Sequence, residues 1–276
     1  MLDIKQAITQ WLTSRPERAS HGGLHVADVS NECPRYLWHR LKGTHKREYD
    51  GPTHCKFQQG LGIESFIRTA LAEKFAAYGW HLMPESAVVW RGGDMVSAQG
   101  NTYIGTGAWY ILSVEDAAKE PVSSLVGHPD MVFERAGERH VVEVKSTMWF
   151  RKGYAPIEAP SVADIRASNQ NYILQGAAYA KAVGAGEFTI VVVDRSTGQF
   201  ETYTFPTAEE FLPFAVRYTS IRKIQTSVQE PAPDLPPWTV SKSGLSYLCK
   251  TCPVIECTLN PAQKDMRVAL GGPSDP

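Results

Sequence analysis

Two periodicities divide the chain into elements. A 3.6-residue stripe of Ile4, Ile8, Trp11 and Leu12 predicts a helix over residues 3–14, followed by a polar loop over residues 15–23. Residues 26–41 predict a second helical stretch. Ser30 or Asn31 can cap it, Pro34 suits its first turn, and Arg35, His39, Arg40 and Lys42 give it a basic face. After a loop over residues 43–56, a long helix over residues 57–78 would bury Ile63, Phe66, Ile67, Ala70, Leu71 and Phe75. Strands follow at residues 87–90 and 101–111, with a turn at 91–93, then a loop over 116–126 holding one helical turn. Residues 161–183 form an amphipathic helix pattern, with Ser161 and Asp164 spaced as a capping box. A hairpin at residues 188–194 and 199–205 precedes a helix over residues 207–228, whose start Pro213 could displace. A proline-rich link over residues 230–238 leads to the C-terminal segment.

The most informative pattern lies between Gly127 and Thr147. Residues 131–133 and 141–144 are β-branched, apolar or aromatic runs, and the polar stretch between them contains Gly137. A hairpin centred between Ala136 and Gly137 sets Asp130 opposite Glu143, with Cβ atoms roughly 4.5–5.5 Å apart. Alternation puts Val141, Glu143 and Lys145 on one face, and Val142 and Val144 on the other. The valine face can pack on helices, leaving the acidic face for chemistry. Two facing carboxylates repel, and a shared cation is one reason to hold them together. Taken alone, a Glu-x-Lys strand is an ordinary solvated face, and Asp130 a turn residue.

Composition narrows the function classes. The 276 residues are 43% hydrophobic and 21% charged, which suits an ordinary globular protein. No apolar run approaches the roughly 18 residues of a membrane span, and the N-terminus lacks a secretory core, so a cytoplasmic protein is expected. The net charge of −1 gives no global basic signature, so a nucleic-acid enzyme would need a local basic patch. No Gly-x-x-x-x-Gly-Lys-Ser/Thr loop is present, which argues against autonomous ATP use. Five cysteines stand at 33, 55, 249, 252 and 257. In a reducing compartment, clustered cysteines read as metal ligands rather than disulfides. The Cys249-x2-Cys252-x4-Cys257 spacing supplies three thiolates and needs a fourth ligand from elsewhere.

Three further features have both a plain and a chemical reading. Glu64, in Gly60-Leu-Gly-Ile-Glu, is by spacing an exposed helix glutamate, although the glycines argue for close approach of a backbone or ligand. Trp149, Arg151, Lys152 and Tyr154 interleave basic and aromatic side chains, as in a single-strand channel or in a surface loop with half-buried rings. Gln175 and Tyr179, at i and i+4, project together and form at least a helix polar pair.

Pro129-Asp130 with Glu143-Val144-Lys145 resembles the core of the PD-(D/E)xK nucleases. Their order with Cys33, Glu64, Gln175-x-x-x-Tyr179 and the three late cysteines resembles the RecB-like iron–sulfur branch, which includes AddB-type and CRISPR-associated adaptation nucleases. The resemblance implies a single α/β domain over residues 1–276. Its core, residues 57–228, would be a restriction-endonuclease-like mixed β-sheet flanked by helices. Residues 26–56 and 238–260 would form a cysteine-cluster subdomain. It further implies Mg²⁺ or Mn²⁺ held by Asp130, Glu143, Glu64 and the Val144 carbonyl. Lys145 would orient water or stabilise phosphate charge, and Gln175 and Tyr179 would align the lysine and DNA. Glu64 stands where that family uses a histidine or an acidic residue. Cys33, Cys249, Cys252 and Cys257 would bind a 4Fe–4S cluster, with structural Zn²⁺ as the alternative and Cys55 a spare thiol. The implied function is a DNA exonuclease acting on single strands or duplex ends alongside recombination, repair or phage replication proteins. An inactive nucleic-acid-binding or assembly factor, and a structure-specific endonuclease, are the other readings.

Overall fold

The computed structural model describes residues 22–31, 33–43, 51–96, 105, 107–147, 160–229 and 231. The helix expected over residues 3–14, the aromatic and basic residues 149–154 and the three late cysteines lie outside the described residues. The chain begins β1 (Leu24–His25), α1 (Val26–Asn31), α2 (Pro34–Leu41), α3 (Gly51–Ala76), β2 (His81–Leu82), β3 (Ala87–Arg91) and β4 (Ala108–Leu112). It continues α4 (Val114–Ala117), β5 (Leu125–Gly127), β6 (Met131–Arg135), β7 (Glu138–Thr147), α5 (Val162–Ser168) and α6 (Gln170–Val183). It ends β8 (Glu187–Asp194), β9 (Phe200–Pro206) and α7 (Thr207–Thr226).

These elements make a mixed α/β fold with two mixed sheets, of order β1-β5-β3-β4 and β2-β6-β7-β8-β9. Only His128, Pro129 and Asp130 separate β5 from β6, so this short piece hands the chain from one sheet to the other. The hairpin has the register that its alternation predicts, with Met131 opposite Val142 and Arg135 opposite Glu138. Ala136 and Gly137 both have positive φ, 50° and 83°, as a two-residue primed turn requires. β7 then pairs in parallel with β8, and α5 and α6 supply the crossover that a parallel pair needs.

Both faces of the five-stranded sheet are covered. Val142 and Val144 join Met131, Val191 and Val193 under Ile63, Ile67, Leu71 and Phe75 of α3. On the opposite face Val141, Ile190 and Val192 pack with Leu174, Ala178 and Tyr179 of α6 and with Phe214 of α7. The acidic face is therefore not left open as the alternation suggested, because the apolar stripe of α6 needs the same surface.

Several boundaries differ from the sequence pattern. α3 starts at Gly51 rather than at residue 57, with Pro52 in the first turn, where a missing N–H is tolerated. Phe66 is 71% exposed rather than buried, because the i+4 row of Ile63, Ile67, Leu71 and Phe75 faces the sheet and Phe66 sits beside it. The stretch 26–41 divides in two, and Cys33, not Ser30 or Asn31, occupies the N-cap of α2. The Ser30 hydroxyl donates instead to the Val26 carbonyl inside α1. Residues 161–183 keep the Ser161–Asp164 capping box but break at Asn169 (φ −137°, ψ 34°), a residue that competes with helix backbone bonds. Pro213 lies inside α7 and does not displace its start; buried Phe211 and Phe214 on either side anchor the helix across it.

Two glycines set how closely α6 approaches its neighbours. A Cβ at Gly127 would meet Tyr179 Cε1 at 2.5 Å and Val26 Cγ2 at 2.6 Å. A Cβ at Gly176 would meet the Phe188 ring at 2.5 Å. Gly176→Ala gains about 1 kcal/mol of helix propensity, but overpacking a close-packed core costs about 1–3 kcal/mol. We expect a net downward shift in Tm of roughly 2–6 °C in a thermal melt. An unchanged Tm would mean that displacing Phe188 costs no more than the propensity gain, and a raised Tm that Phe188 moves aside at no cost.

Candidate active site

The end of the hairpin is fastened by side chains. Beyond the last ladder pair, the Asp130 N–H donates to Glu143 Oε1 at 3.1 Å, and the Val144 N–H donates to Asp130 Oδ2 at 2.7 Å. Each carboxylate thus accepts a backbone bond from the other's strand segment, and the sheet handover at residues 128–130 puts Asp130 there. Glu143 is 0% exposed, and its second oxygen accepts from Lys145 Nζ at 2.9 Å. Asp130, Glu143, Val144 and Lys145 are therefore brought together as one unit.

α6 covers this unit from the β7 side. Gln175 Nε2 donates to the Tyr179 hydroxyl at 3.1 Å, so the two side chains meet one another. Tyr179 is buried beside Gly127, within electrostatic reach of both Glu143 and Lys145. Tyr172 was not singled out by the sequence pattern. Its ring lies 5.8 Å from Lys145 Nζ, a cation–π distance. Its signal was available, since positions 172, 175 and 179 share one helix stripe.

On the opposite side stands α3. Glu64 Oε1 lies 3.5 Å from Arg68, one turn away, and Arg68 also reaches Glu85 at 3.6 Å. The Arg68 guanidinium donates to the Asp130 carbonyl, which ties α3 to the site; sequence reasoning missed this residue. Burial, and then repulsion from Asp130, push the Glu64 carboxyl up, against the pull of Arg68. Among the described residues, no three His, Cys, Asp or Glu side chains gather into a group that could hold a metal ion. The arrangement offers two backbone-fastened carboxylates, with Glu64 held aside by Arg68.

Burial, with repulsion from Asp130 second, pushes Glu143 up to about 8 against the pull of Lys145. Burial would lower Lys145, but Glu143 and Asp130 outweigh it and hold the ammonium well above its ordinary value. Lys145 is thus a fixed cation and a hydrogen-bond donor, not a base. The phenol of Tyr179 is raised by burial and then by Glu143.

These shifts give a sign for stability against pH. The folded, metal-free protein keeps the Glu143 proton where the unfolded chain has lost it, so this group's contribution falls as pH rises from 4.5 to about 8. Glu64, also raised, adds to the same slope, and Lys145 stays charged throughout the window. The Tm of chelator-treated protein should fall between about pH 5 and 8, and Glu143→Gln should flatten the profile. A divalent cation favours the carboxylate forms and should raise Tm more at about pH 8 than at about pH 6. A profile already flat in the parent protein would show Glu143 ionised throughout.

Of the cysteines, Cys33 is buried at the N-cap of α2 and Cys55 is exposed on α3; neither is in a disulfide. Arg35 Nε donates to the Pro231 carbonyl at 3.1 Å, and Trp38 Nε1 donates to the Ser227 carbonyl at 3.1 Å. The C-terminal end of the described chain therefore returns to the helix that Cys33 begins.

The sequence matches no protein-family model and no curated protein. Among solved structures, the fold is similar to SSO0001 at 12% identity and TM-score 0.46, covering 93% of this chain and 97% of that one. It is also similar to an alkaline exonuclease from Laribacter hongkongensis at 12% identity and TM-score 0.36, covering 79% of this chain and 95% of that one.

Proposed function

We propose that the protein is a Mg²⁺- or Mn²⁺-dependent deoxyribonuclease that acts exonucleolytically on single strands or duplex ends. The observation that carries this reading is the fastened set Asp130, Glu143 and Lys145: two carboxylates and a permanent cation at the mouth of one hairpin. The donor set fits a hard divalent cation, because Mg²⁺ is commonly bound through one or two carboxylates, with water and substrate phosphate completing its shell. Burial and then repulsion from Asp130 push Glu143 up, and such an ion would offset both by favouring the carboxylate. Asp130 and Glu143 would hold it, with the Val144 carbonyl and Glu64 as further oxygen donors. When bound, the ion would polarise the phosphate and lower the pKa of the attacking water.

The chain's own groups do the rest. Lys145 donates to a phosphate oxygen as charge develops on it, since its ammonium cannot release a proton near neutral pH. The Tyr172 ring limits where that ammonium can swing. Gln175 fixes the Tyr179 hydroxyl within α6, and buried Tyr179 helps keep bulk water off Glu143; the pair is proposed to align Lys145 and the DNA. Trp149, Arg151, Lys152 and Tyr154 are proposed to meet phosphates and bases of the DNA. Cys33, with Cys249, Cys252 and Cys257, is proposed to bind a 4Fe–4S cluster, supported by the return of residues 227–231 to the Cys33 helix. A cytoplasmic role beside recombination, repair or replication proteins, in a bacterium or a phage-infected cell, belongs to the same proposal.

End-labelled linear and circular DNAs, single- and double-stranded, incubated with Mn²⁺ test the reading. Nucleotide release from linear DNA alone is expected. Cutting of circular DNA would replace the exonuclease with a structure-specific endonuclease. Binding without cleavage by cluster-loaded protein would make the chain a binding or assembly factor.

A further inference from the structure

Among the described residues, a groove of ≈ 530 Å³ lies between α3 and the β8–β9 turn. Its walls include Gln59, Gly62, Ile63, Phe66, Arg195 and Phe200. Phe66 is 71% and Phe200 59% exposed, which leaves their rings bare to solvent. Gly62 is open: a Cβ there would meet nothing within 4 Å. Asp194 also lines the groove, but its carboxylate is consumed by the Ser196 N–H and the hydroxyls of Ser196 and Thr197.

Among the described residues that line this groove, Arg195 is the cation. Its backbone N–H donates to the Thr147 carbonyl at 2.8 Å, so it is pinned to the end of the strand that carries Glu143 and Lys145. Thr147 lies two residues, about 7 Å, beyond Lys145. The Arg195 Nε is buried, and nothing among the described residues accepts from it. A buried guanidinium nitrogen with no acceptor carries a desolvation cost, and a ligand in the groove would meet the terminal guanidinium nitrogens. Burial raises the Tyr172 phenol and both Lys145 and Arg195 oppose that rise, so both cations lie within electrostatic reach of this phenol.

We infer that this groove takes the unpaired strand adjoining the scissile phosphate, with Arg195 on a backbone phosphate and Phe66 and Phe200 stacked on bases. The inference rests on the nuclease reading and names the substrate form for the same site. A guanidinium fork suits a phosphate's paired oxygens. Bare aromatic rings beside a cationic track are the means by which proteins hold single strands without reading sequence. A duplex keeps its bases stacked inside and offers these rings nothing to stack on.

The test uses full-length protein carrying Asp130→Asn, so that binding is measured without cleavage. Fluorescently labelled oligo(dT) and a blunt duplex of equal length are titrated across a salt series. Arg195→Gln should weaken oligo(dT) binding by about 10-fold and lower its salt slope by about one phosphate contact. Phe66→Ala and Phe200→Ala should each weaken it by roughly 10-fold at unchanged slope. Gly62→Glu adds a repelling charge where there is room for it, and should weaken binding without lowering Tm. Duplex affinity should change far less in all four. Unchanged oligo(dT) affinity in Arg195→Gln and Gly62→Glu, with the wild-type protein still cutting DNA, would overturn the groove and leave the nuclease. Equal losses for duplex and single strand would overturn the single-strand assignment. An Asp130→Asn parent that binds no oligonucleotide, together with an inactive wild type, would remove both readings.

Discussion

Asp130→Asn is expected to abolish DNA cleavage, by roughly 10³-fold or more, while leaving the fold as stable as the parent. The loss follows from the role proposed for the carboxylate. Holding the cation is worth several kcal/mol to the transition state, and each ~1.36 kcal/mol is tenfold in rate. The preserved stability follows from geometry. Asparagine keeps an oxygen where Asp130 Oδ2 accepts from the Val144 N–H, so the hairpin stays fastened. It also removes the charge that repels Glu143, a cause of that group's upward shift. In metal-free protein, Tm should therefore hold or rise slightly.

Glu143→Gln makes the informative contrast. It too should be inactive, but glutamine keeps the uncharged form that burial already favours at Glu143, so its Tm should hold between about pH 5 and 8, where the parent's falls. Two inactive variants that both keep the fold would separate catalysis from folding. Activity assays with Mg²⁺ and Mn²⁺, together with thermal melts, decide the matter. Turnover near the parental level in Asp130→Asn would remove the metal site, and with it the nuclease reading.

The hairpin was legible in the sequence because its cues are local. The turn fixes the register, the register fixes the pairing, and period two fixes the faces. For the same reason the Ser161–Asp164 capping box and the β8–β9 hairpin were readable. What the sequence hid is long-range. Alternation cannot say that α6 covers the Glu143 face, because that depends on Gly176 and Gly127 letting a helix approach, and neither glycine announces its neighbour. Arg68 reads as an ordinary helix arginine until α3 is laid over the sheet and its guanidinium meets the Asp130 carbonyl. Phe66 counts as core by hydrophobicity, and only the choice of the 63–67–71–75 row as the buried stripe exposes it. Short strands such as β1 and β2 carry no pattern of their own; their partners define them.

Cys33→Ser is expected to bleach the protein and to lower its Tm by about 10 °C. Cys33 sits at the N-cap of α2 without a side-chain capping bond, so serine at that position costs no cap and could even supply one. Any large loss must then come from what the thiolate holds. The Ser227 and Pro231 carbonyls accept from Trp38 and Arg35, so the last described residues before Cys249, Cys252 and Cys257 lie on the helix that Cys33 begins. A ligand bound about 1,000-fold more tightly than its free concentration contributes about 4 kcal/mol. In a chain of this size that corresponds to roughly 2–4 °C per kcal/mol. Anaerobically purified protein should be brown, with broad absorption near ~400 nm as expected of cysteine-held iron and sulfide. Serine at 249, 252 or 257 should act as at 33. Cys55→Ser should change neither colour nor Tm, since that thiol is exposed on α3 and in no disulfide. One zinc per chain without iron or sulfide, found by elemental analysis of anaerobic protein, would replace the cluster with a structural zinc. In that case the colour prediction fails and the stability prediction stands, because either metal, so bound, would tie Cys33 to the C-terminal cysteines.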